Sequence, residues 1–143
     1  MDLVTVLEDY CTSLGWGFSY GNKSNNNLLQ DLVAGKVYLI LDPVRESEGI
    51  SQFGGDGVST FTGSFMLVVL SDLDNVYHTQ LDVPREQGKY VKNILPLKEN
   101  LKVLKGLIDC SEMVRSNWSI VDAIDVLDEN MDGVIVTYTI TNL

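Results

Sequence analysis

Apolar positions recur at helical spacing over residues 2–14, where Leu3, Leu7, Cys11 and Leu14 fall on one stripe with Tyr10 beside it. Asp2, Glu8 and Asp9 lie off that stripe and Gly15 and Gly17 follow it, which predicts a short amphipathic helix ended by glycine. A short strand is expected at Phe18–Tyr20. The polar stretch GNKSNNN at 21–27 reads as a loop, and Leu28, Leu29, Leu32 and Val33 allow one helical turn before Gly35. Lys36–Val44, KVYLILDPV, holds Val37 to Leu41 in unbroken apolar succession, the pattern of a central strand covered on both faces. Pro43 lacks a backbone donor and marks the end or an edge of that strand.

Residues 45–57, RESEGISQFGGDG, are glycine-rich and charged, and predict a mobile excursion or the tip of a long hairpin. In the strand Val58–Ser71, one parity carries Phe61, Phe65, Leu67 and Val69. The other begins polar at Thr60, Thr62 and Ser64 and turns apolar at Met66, Val68 and Leu70. That predicts a strand whose wet first half protrudes, with Gly63 as a bulge or bend. An acidic connection with Pro84 spans 71–86. Ile94, Leu97, Leu101, Leu104 and Ile108 then recur at three and four, which predicts a long helix over about 87–115, started or kinked by Pro96. Two strands close the chain, about 117–127 and 133–142, around the turn DENMDG. Trp118, Ile120, Ile124 and Val126 share one parity, while Val134, Val136, Tyr138 and Ile140 alternate with Ile135, Thr137, Thr139 and Thr141. By period alone, 120–127 also fits a helix. The expectation is one α+β domain: a mostly antiparallel sheet of about four strands, a short N-terminal helix, one long helix, and a protruding β-hairpin or loop at about 45–64.

Composition narrows the function classes. The chain has 143 residues and a net charge of −10, which argues against wrapping duplex DNA or adhering to anionic membrane. No apolar run approaches the roughly 20 residues that span a bilayer. Met1-Asp2-Leu3 has neither the basic start nor the apolar segment of a signal peptide, so Cys11 and Cys110 are expected as reduced, buried thiols. Charge is unevenly placed. Segment 87–115 carries six bases (Lys89, Lys92, Lys98, Lys102, Lys105, Arg115) against three acids, or +3, and the remainder is −13. Lys98, Lys102 and Lys105 lie on one water-accessible stripe.

Candidate chemistry is sparse. Asp128-Glu129-Asn130-Met131-Asp132-Gly133 reproduces the opening of a calcium-binding EF-hand loop, but the twelfth position is Thr139 instead of Glu and the flanks read as strands. A hairpin turn explains it as well. His78 lies near Asp72, Asp74 and Asp82 in sequence, with no nucleophile beside it. Gly54-Gly55-Asp56-Gly57 lacks the Lys-Ser/Thr of a phosphate loop and reads as flexibility. Asp122, Asp125 and Asp128 would have to gather for a metal, but Asp122 and Asp125 point to opposite faces of a strand. No catalytic residue, cofactor or metal is expected.

The order of elements, the strand KVYLILDPV after a short helix and polar loop, and the closing hairpin from Trp118 through DENMDGV to Ile140 resemble the tail completion proteins of tailed bacteriophages, the group of tail terminator and neck proteins. The resemblance covers nearly the whole chain. It implies a non-enzymatic virion subunit, assembled in the host cytoplasm into a ring of six or twelve copies at the head–tail junction. Such a ring caps or joins the tail tube, contacts other tail or neck proteins, and passes DNA without specific binding; no membrane is involved. An acidic bore would repel phosphates and let DNA slide. The candidate assembly contacts are Phe53, Gly54, Gly55, Val58 and Phe61 of the hairpin, and Lys98, Lys102 and Lys105 of the helix. The alternatives are a small ligand-binding or enzymatic α+β domain using the acidic loop around His78, and a calcium-regulated adaptor using Asp128, Asn130 and Asp132.

Overall fold

The computed structural model describes residues 2–21, 33, 35–49, 58–70, 88–111, 114–126 and 131–142. Helix α1 spans Leu3–Leu14. The Asp2 carboxylate caps it, accepting from the Val4 and Thr5 backbone N–H groups and from the Thr5 hydroxyl. These bonds, the Thr5 hydroxyl foremost, hold Asp2 below its ordinary carboxylate pKa. Gly15, at φ 75°, closes the helix in the left-handed region.

Six strands follow the helix into one sheet. They are β1 Gly17–Tyr20, β2 Tyr38–Leu41, β3 Arg45–Glu48, β4 Ser59–Leu70, β5 Val114–Val126 and β6 Met131–Asn142. The main path runs β1-β2-β4-β6-β5, and β3 pairs β4 beyond the end of β2. Among the described strands only the β1–β2 pair is parallel. The fold is therefore α+β with a mostly antiparallel sheet, built of six strands where about four were expected. Strand β1 is the short strand expected at Phe18–Tyr20, and the additional strand β3 is only four residues of mostly charged sequence, with no apolar alternation to mark it. All four residues of β2 are buried, as its continuous apolar run requires. Pro43 falls at the step where β2 hands the flank of β4 over to β3.

The helices cover one face of the sheet. Leu3, Leu7 and Cys11 of α1 meet Leu39, Leu41, Phe61, Phe65 and Leu67, and Val134, Val136, Tyr138 and Ile140 of β6 complete that side. Helix α2, Leu95–Asp109, adds Leu97, Leu101, Leu104 and Ile108. The Tyr10 hydroxyl donates to the Leu107 carbonyl and ties the two helices together. A π-helical turn, Tyr90–Ile94, runs directly into α2, and Pro96, which has no N–H to donate, sits at the change from one helical pairing to the other. The expected helix to 115 instead ends at Asp109, and Arg115 lies on β5. The apolar spacing itself stops at Ile108, one residue before the helix does.

Gly63 is neither bulge nor bend. Its register with Tyr138 is unbroken. A Cβ there would lie 2.8 Å from the Tyr138 hydroxyl oxygen, so glycine is present to admit that ring. The irregularity lies in β5 instead, between Ala123 and Val126, and residues 120–126 are strand, not helix. The first half of β4 is flanked by β3 and β6, and Phe61 is 2% exposed, so this half does not protrude on its own. All four residues of the β3 arm of that hairpin are exposed. The predicted loop at 21–27, most of the turn at 28–33, the hairpin tip, and the connection 71–86 with His78 lie outside the described residues.

The two glycines that face the sheet and the helix surface should behave oppositely. A Cβ on Gly133 would collide with the Leu67 carbonyl oxygen and lie 2.6 Å from a Val68 methyl, both within the paired sheet. Gly106, inside α2, has open space around it. Urea unfolding should show Gly133→Ala destabilised by about 2 kcal/mol or more and Gly106→Ala stabilised by about 0.5–1 kcal/mol.

Candidate interaction surface

The lysine stripe proves to be internally matched. Lys98 Nζ lies 2.9 Å from Asp122 Oδ1 on β5, Lys102 Nζ 3.2 Å from Glu99, and Lys105 Nζ 2.5 Å from Asp109. Lys98 also sits 5.2 Å from the Tyr90 ring centroid and Lys105 5.9 Å from that of Trp118. The hydrogen bond to Asp122 raises the Lys98 pKa. Each pair adds little stability at an exposed site, but each cancels a positive charge. The helix stripe is therefore not the free cationic patch that its +3 implied. The remaining assembly candidates divide. Val58 is exposed, Phe61 is core, and Phe53, Gly54 and Gly55 lie outside the described residues.

The sheet's other face divides in two. At one end Tyr38, Ile40, Met66, Val68 and Met131 form a second buried cluster, with the Val33 N–H reaching the Tyr38 hydroxyl at 2.8 Å. At the other end the polar parity noted in the sequence continues across strands. Thr60, Thr62 and Ser64 of β4 stand opposite Thr141, Thr139 and Thr137 of β6. The outer strands extend these rows, β3 with Arg45 and Ser47, β5 with Arg115, Asn117 and Ser119. None of these residues is buried. A shallow depression framed by Asn117, Ser119, Thr137 and Thr139 opens among them. Asp42 reaches the rim, accepting from the Ser64 hydroxyl at 2.6 Å.

This face is an open field of hydroxyls and an amide, with a guanidinium on each outer strand, in a chain of net charge −10. Its border on β5 is apolar: Val121 is 61% exposed there, and Ile120, 45% exposed, points the opposite way. The alternating threonines were legible in the sequence. Arg45 and Arg115 were not, because they lie 70 positions apart and only strand pairing brings them to one face.

The other candidates resolve differently. Asp132, at the end of the calcium-like motif, is buried at the start of β6, and its carboxylate accepts from Asn93 at 2.9 Å. Asp128 and Asn130 lie outside the described residues, as does His78. No group of three or more metal-ligating side chains occurs among the described residues. Cys11 is buried, as expected, and desolvation pushes its thiol up to about 12, which holds it protonated. Cys110 is exposed, contrary to expectation, because it caps α2 instead of facing the core. A thiol reagent at about pH 8 should therefore label Cys110 in the folded protein and Cys11 only after unfolding. Labelling of a folded Cys110→Ser variant would contradict this.

Asp109 marks the junction of α2 and β5. Burial raises its pKa, but hydrogen bonds from Lys105 and Ser116 outweigh that and hold it below the ordinary value of 3.8. A carboxylate with a depressed folded pKa stabilises the fold above its unfolded pKa, and that contribution is lost as pH falls through the folded one. Urea midpoints at about pH 6 and about pH 3 should therefore drop less for Asp109→Asn than for the parent. In comparisons with protein-family profiles, curated proteins and solved structures, nothing matches this chain.

Proposed function

We propose that this chain is a structural subunit of a ring at the head–tail junction of a tailed phage, where it caps or joins the tail tube and lets DNA pass. The observation that carries this reading is the unlike pair of strands that flank the β4–β6 ribbon at the first half of β4, β3 on one side and β5 on the other, with β1 the outer strand farther along. On one side β3 presents Arg45, Glu46 and Glu48 within four exposed residues, which guards that edge against pairing. On the other, β5 pairs β6 and no other strand among the described residues, and runs uncharged from Ser116 to Val121, with Ile120 and Val121 exposed. An open edge of this kind accepts a neighbour by main-chain hydrogen bonding. A surface whose two sides differ favours head-to-tail contacts, which close into rings. The element order, from short helix to long helix and closing hairpin, is the order the resemblance implies, and the charge of −10 suits a bore that must not hold DNA.

Light scattering after size exclusion, then negative-stain microscopy, tests the reading with the purified chain alone and mixed with the tail-tube and portal proteins of the same phage. Closed rings in either sample are expected. A monomer in both, with no complex to either partner, would overturn it.

A further inference from the structure

We infer that the hydroxyl face of the sheet receives helix α1 of a second copy of this chain, with Arg45 and Arg115 meeting that helix's acidic side. This deepens the ring reading by naming a contact between copies. The two surfaces lie on opposite sides of the molecule. Leu3, Leu7 and Cys11 turn α1 inward onto the helix-covered face, which leaves Glu8 and Asp9 exposed outward. Helix α1 has no Lys or Arg. The hydroxyl face has two arginines and, at its rim, Asp42, already engaged by Ser64.

The dimensions agree. Arg45 and Arg115 are separated by three strand spacings and a two-residue offset along the strands, about 16 Å in all. A twelve-residue helix is about 18 Å long, enough to bridge both. Between the arginines the face offers hydroxyls to the polar side of α1, where Thr5 and Thr12 are exposed. Val121 at the border adds an apolar contact. The stripe of Lys98, Lys102 and Lys105 cannot play this part, because each lysine already has an acid beside it. Because face and helix are different patches, each copy can use both at once, and the contact propagates head to tail.

Two double charge reversals test the contact: R45E with R115E on the face, and E8K with D9K on the helix. All four positions are exposed, and unchanged circular dichroism checks the fold. In sedimentation velocity at low salt the parent should self-associate, and each double variant should do so at least about tenfold more weakly. Mixing the two variants should restore association, because each then offers what the other's reversed patch lacks. Added salt should weaken the parent and the mixture alike. Association that ignores both reversals overturns this contact and leaves the ring reading standing. A parent that does not self-associate at low salt overturns it too, and the ring reading is then decided by microscopy with the tail-tube and portal partners. Reversals that act without rescue on mixing also overturn it.

Discussion

Twelve consecutive residue pairs bind β4 to β6, from Ser59 with Asn142 to Leu70 with Met131, and the remaining elements are hung on that ribbon. The pairing places Phe61, Phe65 and Leu67 beside Val134, Val136, Tyr138 and Ile140 on one side, where both helices bury their apolar stripes. Two glycines make the close approach possible. Gly133 lies against the Leu67 carbonyl, and Gly63 admits the Tyr138 ring, which packs on Phe65, whose ring in turn meets Trp118 edge-on. A side-chain period of two then leaves no freedom on the other side: a slip of one residue would send threonines into the core and phenylalanines into water. The hydroxyl face is thus a consequence of the same register that builds the core.

Charge shows how far local sequence and folded surface diverge. Along the chain, the lysines of α2 look like the positive patch of the molecule. In the fold they are answered one by one, Lys98 from β5 and Lys102 and Lys105 from their own helix. Two arginines in acid-flanked or strand-forming contexts instead come to share one face of the sheet. Long-range attraction depends on what remains unmatched, not on the count of bases in a segment.

The edges follow a similar logic. A strand with partners on both sides needs no protection, and β4 carries Phe and Val freely. An edge strand exposes unpaired backbone groups and must be guarded or used. The charges of β3 guard one edge, while β5 leaves Ile120 and Val121 exposed at the other.

The sequence by itself determined the fold class, α1 and the glycine that ends it, the buried run of β2, the apolar face of α2 and the parity of β4 and β6. Each depends on a period of 3.6 or 2 within one segment, or on a glycine at a helix end. It misplaced the end of α2, read Gly63 as a bulge and counted too few strands, because boundaries, close approaches and four-residue strands are set by partners distant in the chain. It put Phe61 among assembly contacts, yet flanking by β3 and β6 turns that ring into core. Only the tertiary structure decided which charges cancel and which share a face, because a Coulomb interaction depends on distance through space and strand pairing brings Arg45 and Arg115 together across 70 residues of chain.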